Sequence, residues 1–301
     1  MTWRAFHLFY FDEEHADPLI VEADRLVRTL AADAGRWFFI RYNIGGMHLR
    51  FRLRDNPAGF DEVALRLRGE AWTLAEAPLA HSSVPPGGVP DEREHFHYPG
   101  SAVEIPYVPE TERYGGPDAL PENEALFALS TSIAVQVIGA TLGDRPKRAK
   151  LAIDLMLAAA TVAVADEARL AGYFEAYSRF WGRQYFEADE VPEGSRATNI
   201  EAVEVRLRRL RDFARSDASP GTPSHYWVRA LAQARRTFEE LAAAGKLAAP
   251  ADGAIVTDGE ACEAAVSDML MSQTHMMNNR LGFSPYVEMM WAGALARSLA
   301  R

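Results

Sequence analysis

Positions 37–53 read Trp-Phe-Phe-Ile-Arg-Tyr-Asn-Ile-Gly-Gly-Met-His-Leu-Arg-Phe-Arg-Leu, and no other stretch constrains the fold as tightly. Aromatic and β-branched residues fill 37–42, turn chemistry occupies 43–46, and 48–53 alternates polar with apolar at period two. The pattern predicts strand, turn, strand. In an extended chain successive side chains face opposite ways, so His48, Arg50 and Arg52 share one face while Leu49, Phe51 and Leu53 share the other. The apolar face suits a core. The polar face suits either an anion or the solvated outside of a half-buried sheet.

Around this hairpin the order of elements predicts the class. Positions 3–11 are aromatic and alternating, which indicates a strand buried on much of both faces and joined to the same sheet. Helical spacing over 20–34 ends before Gly35, a candidate C-cap. A second amphipathic helix is expected over 60–77, with Val63, Leu65, Leu67 and Trp72 as its core residues and its arginines outward. Proline and glycine make 84–90 a loop, and 102–108 alternates once more. From Pro121 the composition turns to alanine, leucine, glutamate and arginine, and no further strand pattern occurs. Helices are expected over 122–141, 145–166 continuing brokenly to 186, 200–215, 226–244, 259–281 and 285–299, separated by proline and glycine breakers. We therefore expect an α+β fold with an antiparallel, sheet-rich part (1–120) packed on a larger helical part (121–301). With no fixed-period repeat and no long low-complexity linker, the expectation is one domain.

Composition removes several classes of function. A net charge of -10 disfavours broad binding to nucleic-acid backbones, which raises the interest of local arginine clusters. The single cysteine, Cys262, excludes an internal disulfide framework and a cysteine-based metal site. With no charged-then-apolar leader the chain reads as cytoplasmic. The apolar run 151–165 contains Asp154 and is too short to span a bilayer.

Three groups carry possible chemistry. The first is His48, Arg50 and Arg52. The second is Arg113 with Glu110, beside the pair Gly115-Gly116, where a strand end could present an arginine to a ligand or a surface turn could pair it with Glu110 or Glu112. The third is Ser272-Gln-Thr-His-Met-Met-Asn-Asn-Arg-Leu-Gly282, where a helix would align His275 with Asn279, with Asn278 and Arg280 alongside. Consecutive asparagines are poor interior helix formers, so polar groups here are expected to meet a partner. His275 is either a proton carrier near neutral pH or a hydrogen-bonded core histidine. His95 and His97 form a metal-like pair without a clear third ligand. No nucleophile elbow, phosphate loop or dinucleotide fingerprint occurs.

Taken together, His48-Leu-Arg-Phe-Arg52, Tyr107-Val-Pro-Glu-Thr-Glu-Arg-Tyr-Gly-Gly116 and His275-Met-Met-Asn-Asn-Arg-Leu-Gly282 resemble three signature blocks. These belong to the C-terminal, glutamate-eliminating domain of class I lanthipeptide dehydratases, whose fold also includes stand-alone thiopeptide-type biosynthesis proteins. The blocks occur in the family's order and, with the aromatic first strand, span nearly the whole chain. The resemblance implies that Arg50, Arg52, Arg113 and His275 are the residues on which elimination depends, with Glu110 as a further functional acid. His48, Asn279 and Arg280 are the expected substrate-binding neighbours. Where the family pattern carries a second histidine two places on, this chain has Met277.

The implied reaction converts glutamylated serine or threonine of a ribosomally made precursor peptide into dehydroalanine or dehydrobutyrine, with no metal, nucleotide or flavin. The chain is expected to lack the glutamylating domain, so the resemblance implies a separate transfer-RNA-dependent partner enzyme, and this chain is expected to touch neither nucleic acid nor membrane. A homodimer is compatible with the acidic, helix-rich surface. Two other readings stand beside it: a cycloaddition enzyme that joins two dehydroalanines into a pyridine-type ring and expels the leader, and a non-catalytic subunit that binds the precursor peptide. An intact set of arginines and histidine argues against the last, because buried charges cost free energy to desolvate.

Overall fold

The computed structural model describes residues 3–32, 36–54, 58–75, 97–164, 166–183, 205–207, 221–257 and 259–300. The predicted Gly35 cap, the 84–90 loop and His95 lie outside these residues, and of the helix predicted over 200–215 only 205–207 are described, as helical. The chain divides into two compact units, one made of Met1–Pro109 and Thr131–Gly143, the other of Glu110–Ser130 and Asp144–Arg301.

The first unit is built on the expected hairpin. Strands β1 (Trp3–Phe9), β2 (Trp37–Tyr42), β3 (His48–Arg54) and β4 (Ala102–Glu104) form an antiparallel sheet in the order β2-β3-β1-β4. The turn between β2 and β3 places Gly45 at φ 77° and Gly46 at φ 114°, a region that side chains with a Cβ resist. Register follows from the alternation, Arg50 lying opposite His7 on β1 and Ile40 on β2. Phe6, Leu8, Trp37, Phe39, Leu49, Phe51 and Leu53 are all buried on one face. Phe6 stacks on Phe51 with centroids 5.0 Å apart and meets Phe60 edge-on at 5.3 Å. Phe60 opens α2 (Phe60–Ala75), which packs on α1 (Ala16–Leu30) to cover that core.

Several boundaries differ from expectation for definable reasons. Helix α1 begins earlier than residue 20, because Asp12 caps a 3-10 turn (Glu13–His15) that leads into it, and it ends at Leu30 with Ala31 as its C-cap, short of Gly35. Pro18 is tolerated there, since first-turn N–H groups have no partner within the helix. On α2 the buried line is Phe60, Val63, Leu67 and Ala71, whereas Leu65 is 60% and Trp72 49% exposed. A residue two positions from Val63 lies about 200° round the helix, on the far side. Strand β4 stops at Glu104 and not at 108. Ile105 N still donates to Ala5 O at 3.0 Å, but Pro106 has no N–H with which to continue the ladder.

The helices follow in the predicted order: α3 (Leu120–Ala140), α4 (Arg145–Ala163), α5 (Leu170–Gly182), α6 (Pro223–Ala243), α7 (Gly259–Arg280) and α8 (Pro285–Leu299). α3 is long and apolar enough to cross a membrane by length and composition, yet 61% of its most apolar window is buried inside the protein, as in a core helix. Caps fix the starts of others. Asp144 accepts from Lys147 N at 2.9 Å beside Pro146, and Thr222 accepts from His225 N at 3.3 Å beside Pro223. In the second unit α5 and α8 lie against each other, with Ser178 Oγ donating to Met289 O at 3.0 Å. The fold is α+β, and among the described residues its strands lie in the first part of the chain, as expected.

Candidate functional site

On the sheet, β3 presents His48, Arg50 and Arg52 along one face. His48 is only 2% exposed. Its Nδ1 lies 2.7 Å from Gly46 O, and its Nε2 lies 3.1 Å from Arg50 Nε. A carbonyl can only accept and an arginine N–H can only donate, so the ring is the neutral tautomer with its proton on Nδ1. Burial pushes the His48 pKa down to about 4, against the raising effect of the Gly46 hydrogen bond. His7 stacks on it at 4.8 Å and is pushed down to about 3 by burial, then by the charges of His48, Arg50 and Arg52. Arg50 lies over the Tyr42 ring, its Cζ 3.5 Å from the centroid. Arg52 Cζ lies over the pair Phe38 and Tyr107, 5.3 and 5.4 Å from their centroids. The two arginines are thus half-buried cations on an aromatic floor, a setting that suits bidentate binding of a carboxylate.

The second unit positions Arg113. It lies in the turn 111–115, nine residues beyond the end of β4, so the strand-end placement expected from the glycine pair is replaced by a turn. That turn is tied to α7. Asn123 Nδ2 donates to Tyr114 O at 3.1 Å, and Asn123 Oδ1 accepts from Gln273 Nε2 at 2.8 Å. Arg113 Nε accordingly reaches Ser272 Oγ at 3.3 Å, while Nη1 meets Glu110 at 3.4 Å. Arg113 and Glu110 side chains are 37% and 60% exposed, so this ion pair is a weak, solvent-screened one.

One turn beyond Ser272 on α7 stands His275. Residues three apart on a helix are neighbours on its surface, so the Arg113 contact and His275 share a face of α7. His275 Nδ1 lies 3.1 Å from Glu288 Oε1 and 3.3 Å from Oε2. Glu288, on α8, is fully buried and also accepts a hydrogen bond from Tyr177 O–H of α5. Trp181, one turn further along α5, packs its ring 4.3 Å from that of His275. A carboxylate on Nδ1 leaves Nε2 as the nitrogen that carries the lone pair.

The remaining predicted groups on α7 are placed differently. Asn279 is half-buried, and its carbonyl accepts from Gly282 N at 3.0 Å as the helix ends. Arg280 is fully buried, with Nη1 donating to Met276 O at 2.9 Å and Cζ 5.5 Å from the Phe127 ring. No group of three or more histidine, cysteine, aspartate or glutamate residues that could hold a metal occurs among the described residues.

The sequence profile described as "Lantibiotic biosynthesis dehydratase C-term" matches residues 3–299. The chain belongs to this family. No curated protein matches it in sequence. Among solved structures it is similar to TsrL, at 19% identity and a TM-score of 0.66, with 98% of this chain and 93% of that one covered. It is similar to "Pyridine synthase, TbtD, from thiomuracin biosynthesis", at 14% identity and a TM-score of 0.69, covering 100% and 98%. It is also similar to the "tRNA dependent lantibiotic dehydratase MibB from Microbispora sp. 107891", at 18% identity and a TM-score of 0.55, covering 99% of this chain but 28% of that one. At these identities the likeness is one of fold.

As a member of the lantibiotic dehydratase C-terminal family, the chain is of the broad class that modifies ribosomally made peptides. Sequence reading missed Glu288, Tyr177 and Trp181. Glu288 carried one usable signal, a lone acid in the apolar run Tyr286-Val-Glu-Met-Met-Trp291. A carboxylate in such a place needs buried partners.

Proposed function

We propose that this chain eliminates glutamate from glutamylated serine or threonine in a ribosomally made precursor peptide, leaving dehydroalanine or dehydrobutyrine. His275 Nε2 takes the proton from Cα, the released electron pair forms the Cα=Cβ bond, and the Cβ–O bond breaks so that glutamate leaves as a carboxylate. Arg113, whose Nε reaches Ser272 one turn before His275, binds the carboxylate of the glutamyl group and the enolate-like charge that develops as the Cα proton departs, and Arg50 and Arg52, in the first unit, are carried into the reaction by the family resemblance alone. Glu110, 3.4 Å from Arg113, is the further functional acid that the family resemblance implies. The reading takes an activated peptide as substrate, leader and core together, and a separate transfer-RNA-dependent enzyme as the source of the glutamyl ester.

The observation that carries this reading is the setting of His275: Nδ1 is bound to buried Glu288, and Arg113 stands one helical turn away on Ser272. A base with a lone pair beside a cation is what α-proton removal next to a carbonyl requires. Incubation of the purified chain with a glutamylated peptide, with free glutamate as readout, tests it.

A second reading has its own support. Likeness to the pyridine synthase extends over 100% of this chain and 98% of that one, whereas only 28% of the lantibiotic dehydratase is covered. On that reading the chain joins two dehydroalanines of one peptide in a ring-forming cycloaddition. The same assay, run with a peptide that already carries two dehydroalanines, separates the two.

A further inference from the structure

We infer that Glu288 and Tyr177 are positioning residues that set the tautomer and basicity of His275 from opposite directions. The inference rests on the reading of His275 as the proton-handling group, but its geometry stands apart from the choice of reaction.

Glu288 is 0% exposed, and both its oxygens serve as acceptors, from Tyr177 O–H and from His275 Nδ1. It also lies in the first turn of α8, where the helix dipole favours negative charge. A buried acid needs such partners, and here each of them favours an acceptor at this position. Tyr177 is likewise fully buried, and burial followed by the neighbouring Glu288 charge pushes its phenol well above its ordinary value. It therefore remains an O–H donor. The arrangement couples three groups in series. The carboxylate fixes the Nδ1–H tautomer and stabilises the imidazolium that forms when Nε2 takes a proton. The phenol withdraws part of the carboxylate's acceptor strength and so restrains how basic His275 becomes.

Other charged groups near this helix do not duplicate the arrangement. Arg113 meets α7 at Ser272, one turn before His275. Asp268 acts on Tyr173, towards the start of α7. From α4, Arg145 and Arg148 donate to the carbonyls of Gly282 and Leu281, beyond the end of α7. Among the described residues, the carboxylate on His275 is that of Glu288.

The test uses full-length protein with 15N-labelled histidine, and follows His275 by long-range nitrogen–proton NMR across pH in the wild type, Glu288→Gln and Tyr177→Phe. In the wild type His275 is expected as the Nδ1–H tautomer. Glu288→Gln should lower its titration midpoint by about one pH unit or more, because an opposite charge is lost. Tyr177→Phe should raise it, because the carboxylate no longer shares its acceptor strength. The acid limb of the activity profile should move with each variant, with kcat reduced roughly tenfold or more in Glu288→Gln and KM little changed. A wild-type Nε2–H tautomer overturns the inference, as do midpoints that move in the same direction in both variants. Should Glu288→Gln not fold, the wild-type tautomer and the Tyr177→Phe shift decide alone. If the NMR behaves as expected but no glutamate is released, the relay stands and the reading of the reaction falls.

Discussion

His48 Nε2 accepts a hydrogen bond from Arg50 Nε at 3.1 Å, and the opposite ring nitrogen is anchored on Gly46 O at 2.7 Å. The imidazole is thus a spacer that converts the geometry of the hairpin turn into the orientation of a guanidinium. Its ring is buried, so under the proposed function its effect on a substrate would pass through Arg50. His48→Phe removes the acceptor, and the loss of a hydrogen bond to a charged group, about 1.5–3 kcal/mol, should reduce peptide processing tenfold or more. His48→Gln, which can still accept, should retain most of the activity. Steady-state rates of the two variants, compared at equal folded fraction by circular dichroism, check this.

The same histidine makes stability dependent on pH. In the folded protein burial holds His48 at about 4 and His7 at about 3, below the ordinary 6.5. Between those values and 6.5 the unfolded chain binds more protons than the folded one, so stability is full above about pH 6.5 and declines as pH falls toward the folded values. Protonated His48 also cannot accept from Arg50. Melting temperature should therefore drop between pH 7 and pH 4.5, and the drop should shrink in His7→Phe. Parallel profiles for variant and wild type would remove His7 from the explanation.

Gly115 sits at φ 82°, and a Cβ there would lie 2.6 Å from Met269 Sδ and 3.0 Å from both Ala119 Cβ and Leu247 Cδ1. Its carbonyl also accepts from Ala248 N at 3.0 Å. Gly115→Ala is expected to destabilise by about 1–3 kcal/mol through strain and overpacking, and to reduce activity by displacing the turn that carries Arg113. Urea denaturation measures the first effect. The neighbouring ion pair should behave differently: Glu110→Gln removes an exposed contact and should change stability by under about 0.5 kcal/mol.

How far the sequence discloses this molecule depends on how local each determinant is. The two faces of β3 are legible because period two is a property of the strand itself, and the helix breaks at Pro146, Pro223 and Pro285 are legible because proline acts on its own backbone. The length of β4 was overread because alternation continues past Pro106, where the ladder cannot. Leu65 and Trp72 were misassigned to the core because a hydrophobic residue on a helix need not face inward; the line through Phe60, Val63, Leu67 and Ala71 wins on angle. The sequence singles out Arg113 and His275 through their motifs. It does not single out Glu288, since its partner His275 is on another helix across the break at 281–284, and Tyr177 is farther still, on α5. A buried relay is a tertiary fact, and only its isolated acid in an apolar run is written locally.

The central claim is tested most directly by mixing the purified chain, without ATP or transfer RNA, with a precursor peptide glutamylated on a single serine. We predict stoichiometric release of free glutamate and a dehydrated peptide, slowed by a factor on the order of a hundred or more in His275→Ala, with glutamylated peptide accumulating. An untouched glutamyl ester, together with conversion of a peptide bearing two dehydroalanines into a ring with loss of its leader, would contradict the elimination account.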